Sequence, residues 1–96
     1  MNYDARGDYE TALNYLKQSL AIAQQIGDKS GECVTTINLG HIHWQNDDQK
    51  SAMKCWSEAY LIAKKMNHAQ ALDALESIAE QLDLDGGLAG WEKLLN

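Results

Sequence analysis

The sequence predicts an all-α fold of five helices joined by short turns, and three observations carry that prediction. The 96 residues contain no proline, while the good helix formers Ala, Leu, Gln, Glu and Lys are plentiful. Apolar residues recur at helical rather than strand intervals. The chain also resembles itself when displaced by 40 residues. At 45% apolar residues it is ordinary for a globular protein and too apolar for a disordered one. A chain of this size buries ~60–65% of the surface its unfolded form exposes, enough for one core and little more.

The first and third helices carry the repeat. Displacement by 40 residues sets Ala12-Leu13 against Ala52-Met53, Leu16 against Trp56, Ser19-Leu20 against Ala59-Tyr60, Ile22-Ala23 against Ile62-Ala63, and Ile26 against Met66. Small residues thus recur opposite small ones and large opposite large, at i, i+4, i+7 and i+8, as two helices with similarly shaped packing partners require. Each follows an acidic turn, Gly7-Asp8 before the first and Asp47-Asp48 before the third. Between them the second helix spans residues 30–45, with Ile37, Leu39, Ile42 and Trp44 apolar. Asp28 or Ser30 caps its start, and Asn46-Asp47-Asp48 ends it and caps the next helix. The fourth helix follows Asn67-His68 and covers residues 69–82, with Leu72, Leu75, Ile78, Ala79 and Leu82 apolar. Asp85-Gly86-Gly87 is a turn, and a last short helix at residues 88–95 carries Trp91, Leu94 and Leu95.

Charge and composition remove several function classes. A net charge of −6 disfavours nucleic acid and anionic membrane surfaces, both of which call for basic stripes. No apolar run approaches the ~20 residues that span a bilayer, and the N-terminus lacks the build of a signal peptide. Two cysteines, Cys33 and Cys55, make no disulfide framework, so the expected location is a reducing cytoplasm.

Chemistry is hard to find in these residues. His41 and His43 are two positions apart on a helix, so their side chains diverge and cannot share a metal. The helical zinc and di-iron spacings are missing, and Gly86-Gly87 has neither the glycine pattern nor the lysine of a phosphate loop. His43 reads as a hydrogen-bonded core residue, and both cysteines read as small apolar groups. Trp56 and Trp91 read as core. The expectation is a protein that is not an enzyme and needs no cofactor or metal.

Leu39-Gly40, Ala52, Trp56 and Ala59 resemble the tetratricopeptide repeat, a helix–turn–helix unit that stacks into a right-handed superhelix. The resemblance implies a single α-solenoid domain over residues 1–96, about two and a half repeats. Repeat 1 is partial (1–27), repeat 2 is residues 28–67, and repeat 3 or a cap is residues 68–96. The 40-residue spacing is similar to the longer-helix variants of kinesin light chains and cell-polarity adaptors. Within this frame residues 1–6 are the remnant of a preceding helix, which suggests a fragment of a longer array. Trp91 falls where the family carries a small residue, leaving two alternatives: a cap that packs differently, or a shifted register.

The resemblance also places a concave groove on the first helix of each repeat. It assigns Val34, Ile37, His41 and Trp44 to that face, and their 3, 4, 3 spacing independently puts them on one side of a helix. Aligning Ile78-Ala79 with Leu39-Gly40 assigns Asp73, Glu76, Glu80 and Asp83 to the next repeat's matching face. Residues 1–68 hold seven basic and eight acidic side chains, whereas residues 69–96 hold one and six. The acidic stripe is either a solvated face or a recognition surface for Lys and Arg. Like charges at these spacings repel, and no lysine between Asp73 and Asp83 relieves them. Val34 and Ile37 are either groove residues or covered by a neighbouring helix, and Trp44 is the best exposed anchor.

The expected function is therefore non-catalytic binding of a basic or amphipathic peptide or helix. The groove lacks the Lys, Arg and Asn clamp with which family members that hold chaperone C-termini grip carboxylates. Two alternatives stand beside it: a structural segment forming a homodimer through its uncovered first helix, and an accessory helical domain of a larger signalling protein.

Overall fold

The computed structural model describes the backbone of residues 5–94 and the side chains of residues 8–94. Five α-helices follow one another: α1 (Ala5–Ile26), α2 (Lys29–Gln45), α3 (Gln49–Met66), α4 (Ala69–Gln81) and α5 (Gly90–Lys93), the last preceded by a 3₁₀ turn at Gly87–Ala89. No strand occurs among the described residues, and no helix there is long and apolar enough to cross a membrane. The architecture is the expected all-α repeat stack. α2 packs on α1 and α3, and α4 packs on α3 and α2.

Turns of two or three residues impose the alternation. Gly27, Asp47 and Asn67 each take a left-handed backbone, at φ 76°, 62° and 54°. The next residue's N–H then reaches back to a carbonyl five positions earlier: Asp28 to Ala23, Asp48 to His43 and His68 to Ala63, all at 2.8–2.9 Å. That same residue caps the following helix. Asp28 accepts from the Gly31 N–H, Asp48 from that of Ser51, and the His68 ring from that of Ala71. One residue thus ends a helix and starts the next. Of the two expected caps for α2, Asp28 does the work, and Ser30 bonds to His68 instead (2.9 Å). Because His68 Nδ1 accepts from Ala71, its proton sits on Nε2 and is donated to Ser30 Oγ.

The core is built around tryptophan. Trp56 is 2% exposed, and its indole N–H donates to the Ile37 carbonyl at 3.1 Å. Its ring lies where a side chain on Gly40 would stand, because a Cβ there would sit 2.6 Å from Trp56 Cδ1. Cys33 Sγ reaches the Ala59 carbonyl at 3.4 Å beside it. Trp91 is fully buried and donates to the Leu75 carbonyl at 2.9 Å, so it stands to α4 as Trp56 stands to α2. α4 has 13 residues against 17 in α2, and Trp91 enters at the second residue of α5.

Three expectations are corrected. Gly7-Asp8 is not a turn, because α1 runs through it from Ala5. Asp8 lies in the first helical turn, where a carboxylate favours the helix N-terminus. Ala5 and Arg6 accordingly belong to α1, and residues 1–4 of the expected preceding helix lie outside the described residues. The last helix is shorter than 88–95, since Gly87–Ala89 wind as a 3₁₀ turn and only Gly90–Lys93 are α-helical; Leu95 lies outside the described residues. The fourth helix ends at Gln81, because Asp83 adopts a left-handed backbone (φ 53°) and the Leu84 N–H returns to the Ala79 carbonyl.

Gly40→Ala tests the Trp56 wedge, because helix propensity and packing predict opposite signs. Alanine should gain about 1 kcal/mol of propensity in a helix interior. The clash with the indole should outweigh it, leaving a net loss of about 1–3 kcal/mol. Urea unfolding monitored by tryptophan fluorescence reads the sign, with Asn38→Ala, at an exposed neighbouring site, as the comparison that should cost little.

Candidate functional site

The sequence-derived candidates lie on α2, on α4 and in the turn after α4, and the two helices touch. Val34 is 45% exposed on α2. His41 is also exposed, with its ring edge-on to Trp56 at 5.4 Å between centroids. Burial of part of that ring against the indole lowers the His41 pKa. Trp44 is half-buried, 5.7 Å from Trp56 at a tilt of 37°, so it shows one part of its ring to water and anchors the other in the core. Ile37 does not join them. It is 7% exposed and belongs to the core cluster with Cys33, Trp56 and Ala59. Val34 is thus left uncovered and Ile37 is covered.

The acidic candidates are all exposed, but they do not form one helical stripe. Asp73, Glu76 and Glu80 lie on α4, and no basic residue shares that helix. Asp83 lies beyond the helix end in its left-handed turn, off the 3, 4, 3 spacing that placed it with the others. Three carboxylates thus stand exposed on α4, and Val34, His41 and Trp44 are partly or fully exposed on α2, a helix that α4 touches. Such a surface can pair with cations and bury modest apolar area.

Several other titratable groups are engaged within the fold. His43 is held by the Tyr9 hydroxyl at 3.0 Å, and it joins α1 to the end of α2. Glu32 is buried at 7% exposure. Its Oε2 has no hydrogen-bond partner and lies 3.7 Å from Lys29 Nζ. That carboxylate and burial both push the neighbouring Cys33 thiol up, burial being the larger cause. Burial also pushes Cys55 up, to about 11. Lys64 is bonded to Glu92 at 3.1 Å, tying α3 to α5, and that pairing raises its pKa. Among the described residues no three His, Cys, Asp or Glu side chains are grouped to hold a metal ion.

Sequence reasoning missed one concavity. It is a cavity of about 330 Å³ lined by Lys29, Leu61, Ile62, Lys65 and Met66, none of them a residue of the α4 stripe. The signal was present as four lysines against one glutamate in α3.

Comparison with known proteins gives one positive result. The family model of the tetratricopeptide repeat matches residues 1–65, about two thirds of the chain. No curated protein and no solved structure matches the chain.

Both thiols should be poor nucleophiles in the native protein. At pH 8 a thiol with its pKa at about 11 is almost wholly protonated, and the thiolate is the reactive form. Ellman's reagent should label native Cys33 and Cys55 far more slowly at pH 8 than the urea-unfolded chain. As pH rises from the ordinary 9.0 toward 11, the unfolded chain's Cys55 ionises before the folded one's, so native stability falls in that window. Cys55→Ala should make that alkaline loss shallower in pH-resolved urea titrations. Equal labelling rates with and without urea would contradict the burial argument.

Proposed function

The chain belongs to the tetratricopeptide repeat family, whose members typically serve as non-catalytic modules of protein–protein interaction, and we propose that it binds a basic, amphipathic peptide or helix along the α2–α4 face. One observation carries this reading: Asp73, Glu76 and Glu80 are exposed on a helix without a single basic residue, beside a helix that offers Val34, His41 and Trp44. Lys or Arg on the partner would meet the α4 carboxylates, with Asp83 available from the turn at its end. Apolar side chains of the same segment would contact Val34 and the exposed part of Trp44. Ile37 contributes from beneath, by fixing the α2–α3 packing that presents Trp44. The repeat boundaries that accompany this reading are 1–27, 28–67 and 68–96.

Rim charges steer association and set its salt dependence more than they set raw affinity. Each exposed ion pair is worth only about 0.2–1 kcal/mol. Reversing two charges removes attraction and adds repulsion, so Glu76→Lys with Glu80→Lys should weaken a lysine-flanked leucine peptide by about tenfold at low salt. Fluorescence anisotropy at two salt concentrations measures this. Unchanged affinity at low salt removes the acidic half of the proposal.

A second reading has its own observation. Tyr15, Ile22 and Ile26 are each more than half exposed on α1, and their spacing of seven and four puts them on one side of that helix. Such a stripe suits association with a second copy of the chain. Light scattering after size-exclusion chromatography at two protein concentrations should then show a dimer, which Ile22→Asp returns to a monomer. A monomer at both concentrations removes this reading.

A further inference from the structure

The cavity at the far end of α3 has a chemistry opposite to that of α4. Its floor is aliphatic, made by Leu61, Ile62 and Met66, and Leu61 and Met66 remain 43% and 38% exposed. Its charged side chains are both lysines, Lys29 from the first turn of α2 and Lys65 from the last turn of α3. Glu32 Oε2 stands 3.7 Å from Lys29 Nζ, too far for a hydrogen bond, so Lys29 keeps donor capacity. Lys65 makes no ion pair among the described residues, and its neighbour Lys64 is the one engaged by Glu92. α3 as a whole carries Lys50, Lys54, Lys64 and Lys65 against Glu58, in a chain whose net charge is −6. No other described helix has an excess of basic residues.

We propose that this cavity docks an acidic, leucine-type segment of a partner protein. One large aliphatic side chain sits on Leu61, Ile62 and Met66, and flanking Asp or Glu side chains pair with Lys65 and Lys29. Charge complementarity selects this occupant. A basic segment would meet two ammonium groups, and a neutral apolar one would cover the surface around Lys65 while leaving it without a counter-ion. A second copy of the chain does offer Asp83-Leu84-Asp85, but Leu84 is packed against its own core and is not free to enter. The site is separate from the α2–α4 face, so the molecule would hold a cationic segment on one surface and an anionic one on another.

The test uses two fluorescein-labelled peptides with the same two central leucines, one flanked on each side by three Asp or Glu residues and the other by three lysines. The acidic peptide should bind saturably, and its amide-shift footprint on the protein should centre on residues 61–66. Lys65→Glu should weaken it by about tenfold, with Lys29→Gln weakening it less because one charge is lost rather than inverted. Glu76→Lys with Glu80→Lys should not weaken it. Both lysines are surface residues, and circular dichroism confirms that each variant keeps its helices. No saturable binding of the acidic peptide, or equal binding by Lys65→Glu and the parent, overturns the proposal. Failure of the lysine-flanked peptide alone bears only on the α2–α4 face.

Discussion

The rest of the structure hangs on the contact between the Trp56 indole and the bare backbone at Gly40. A tryptophan brings more apolar area into a small core than any other residue, and truncating one that is fully buried costs about 3–5 kcal/mol. Its size demands that the facing helix give way, and α2 does so at Gly40, where the ring occupies the place of a side chain. Its indole N–H then needs a partner and finds the Ile37 carbonyl. Apolar bulk and polar satisfaction together set how α2 and α3 are spaced and rotated. Trp91 repeats the same arrangement on the Leu75 carbonyl and meets Trp56 edge-on at 5.8 Å. With Trp44 on the other side, three indoles run in contact from the core to the α2 surface. Any partner that touches Trp44 therefore touches the end of a row that also fixes the helix packing.

The turns convert this packing into a stack. A left-handed residue followed by a capping residue is the shortest way to reverse a helix while satisfying the orphan groups of both ends. Residues 27, 47 and 67 do so at equal intervals of 20, using Gly, Asp and Asn, three residue types that tolerate a left-handed backbone. His68 adds a connection that neither aspartate makes. It caps α4 with one ring nitrogen and reaches back to Ser30 with the other, so the starts of α2 and α4 are bonded to each other.

Much of this was legible because helices announce themselves locally. Periodicity, caps and small-residue positions are properties of neighbouring residues, and they placed all five helices, the Asp48 cap and the buried Trp56. What failed depended on partners distant in sequence or on how a helix stops. Asp83 continued the spacing of the α4 carboxylates, but spacing does not show that the helix ends before Asp83 and that the backbone turns left-handed at that residue. Gly7 suggested a turn, yet glycine costs a first helical turn little. Ile37 shared a stripe with Val34 and Trp44, and a helical wheel cannot tell which edge of a stripe the next helix will cover. The Lys29–Lys65 cavity was invisible for the same reason, since it joins the start of one helix to the end of another.

The charges on α3 and α4 are not explained by the needs of the helices that carry them. Lys64 and Lys65 lie in the last turn of α3, where cations favour the helix C-terminus, but Asp73 and Glu76 lie past the first turn of α4, where the dipole does little for a carboxylate. Lys50 and Glu80 sit at the opposite ends, each against its helix dipole. A few lysines interleaved on α4 and glutamates on α3 would have given i,i+4 pairs and relieved the repulsion within each helix. Helix stability thus argues for mixing the signs, and the molecule separates them. Separated charge makes a field that reaches beyond the surface, and such a field acts on approaching partners rather than on the fold. That is the physical ground for looking to two oppositely charged ligands, one at each helix.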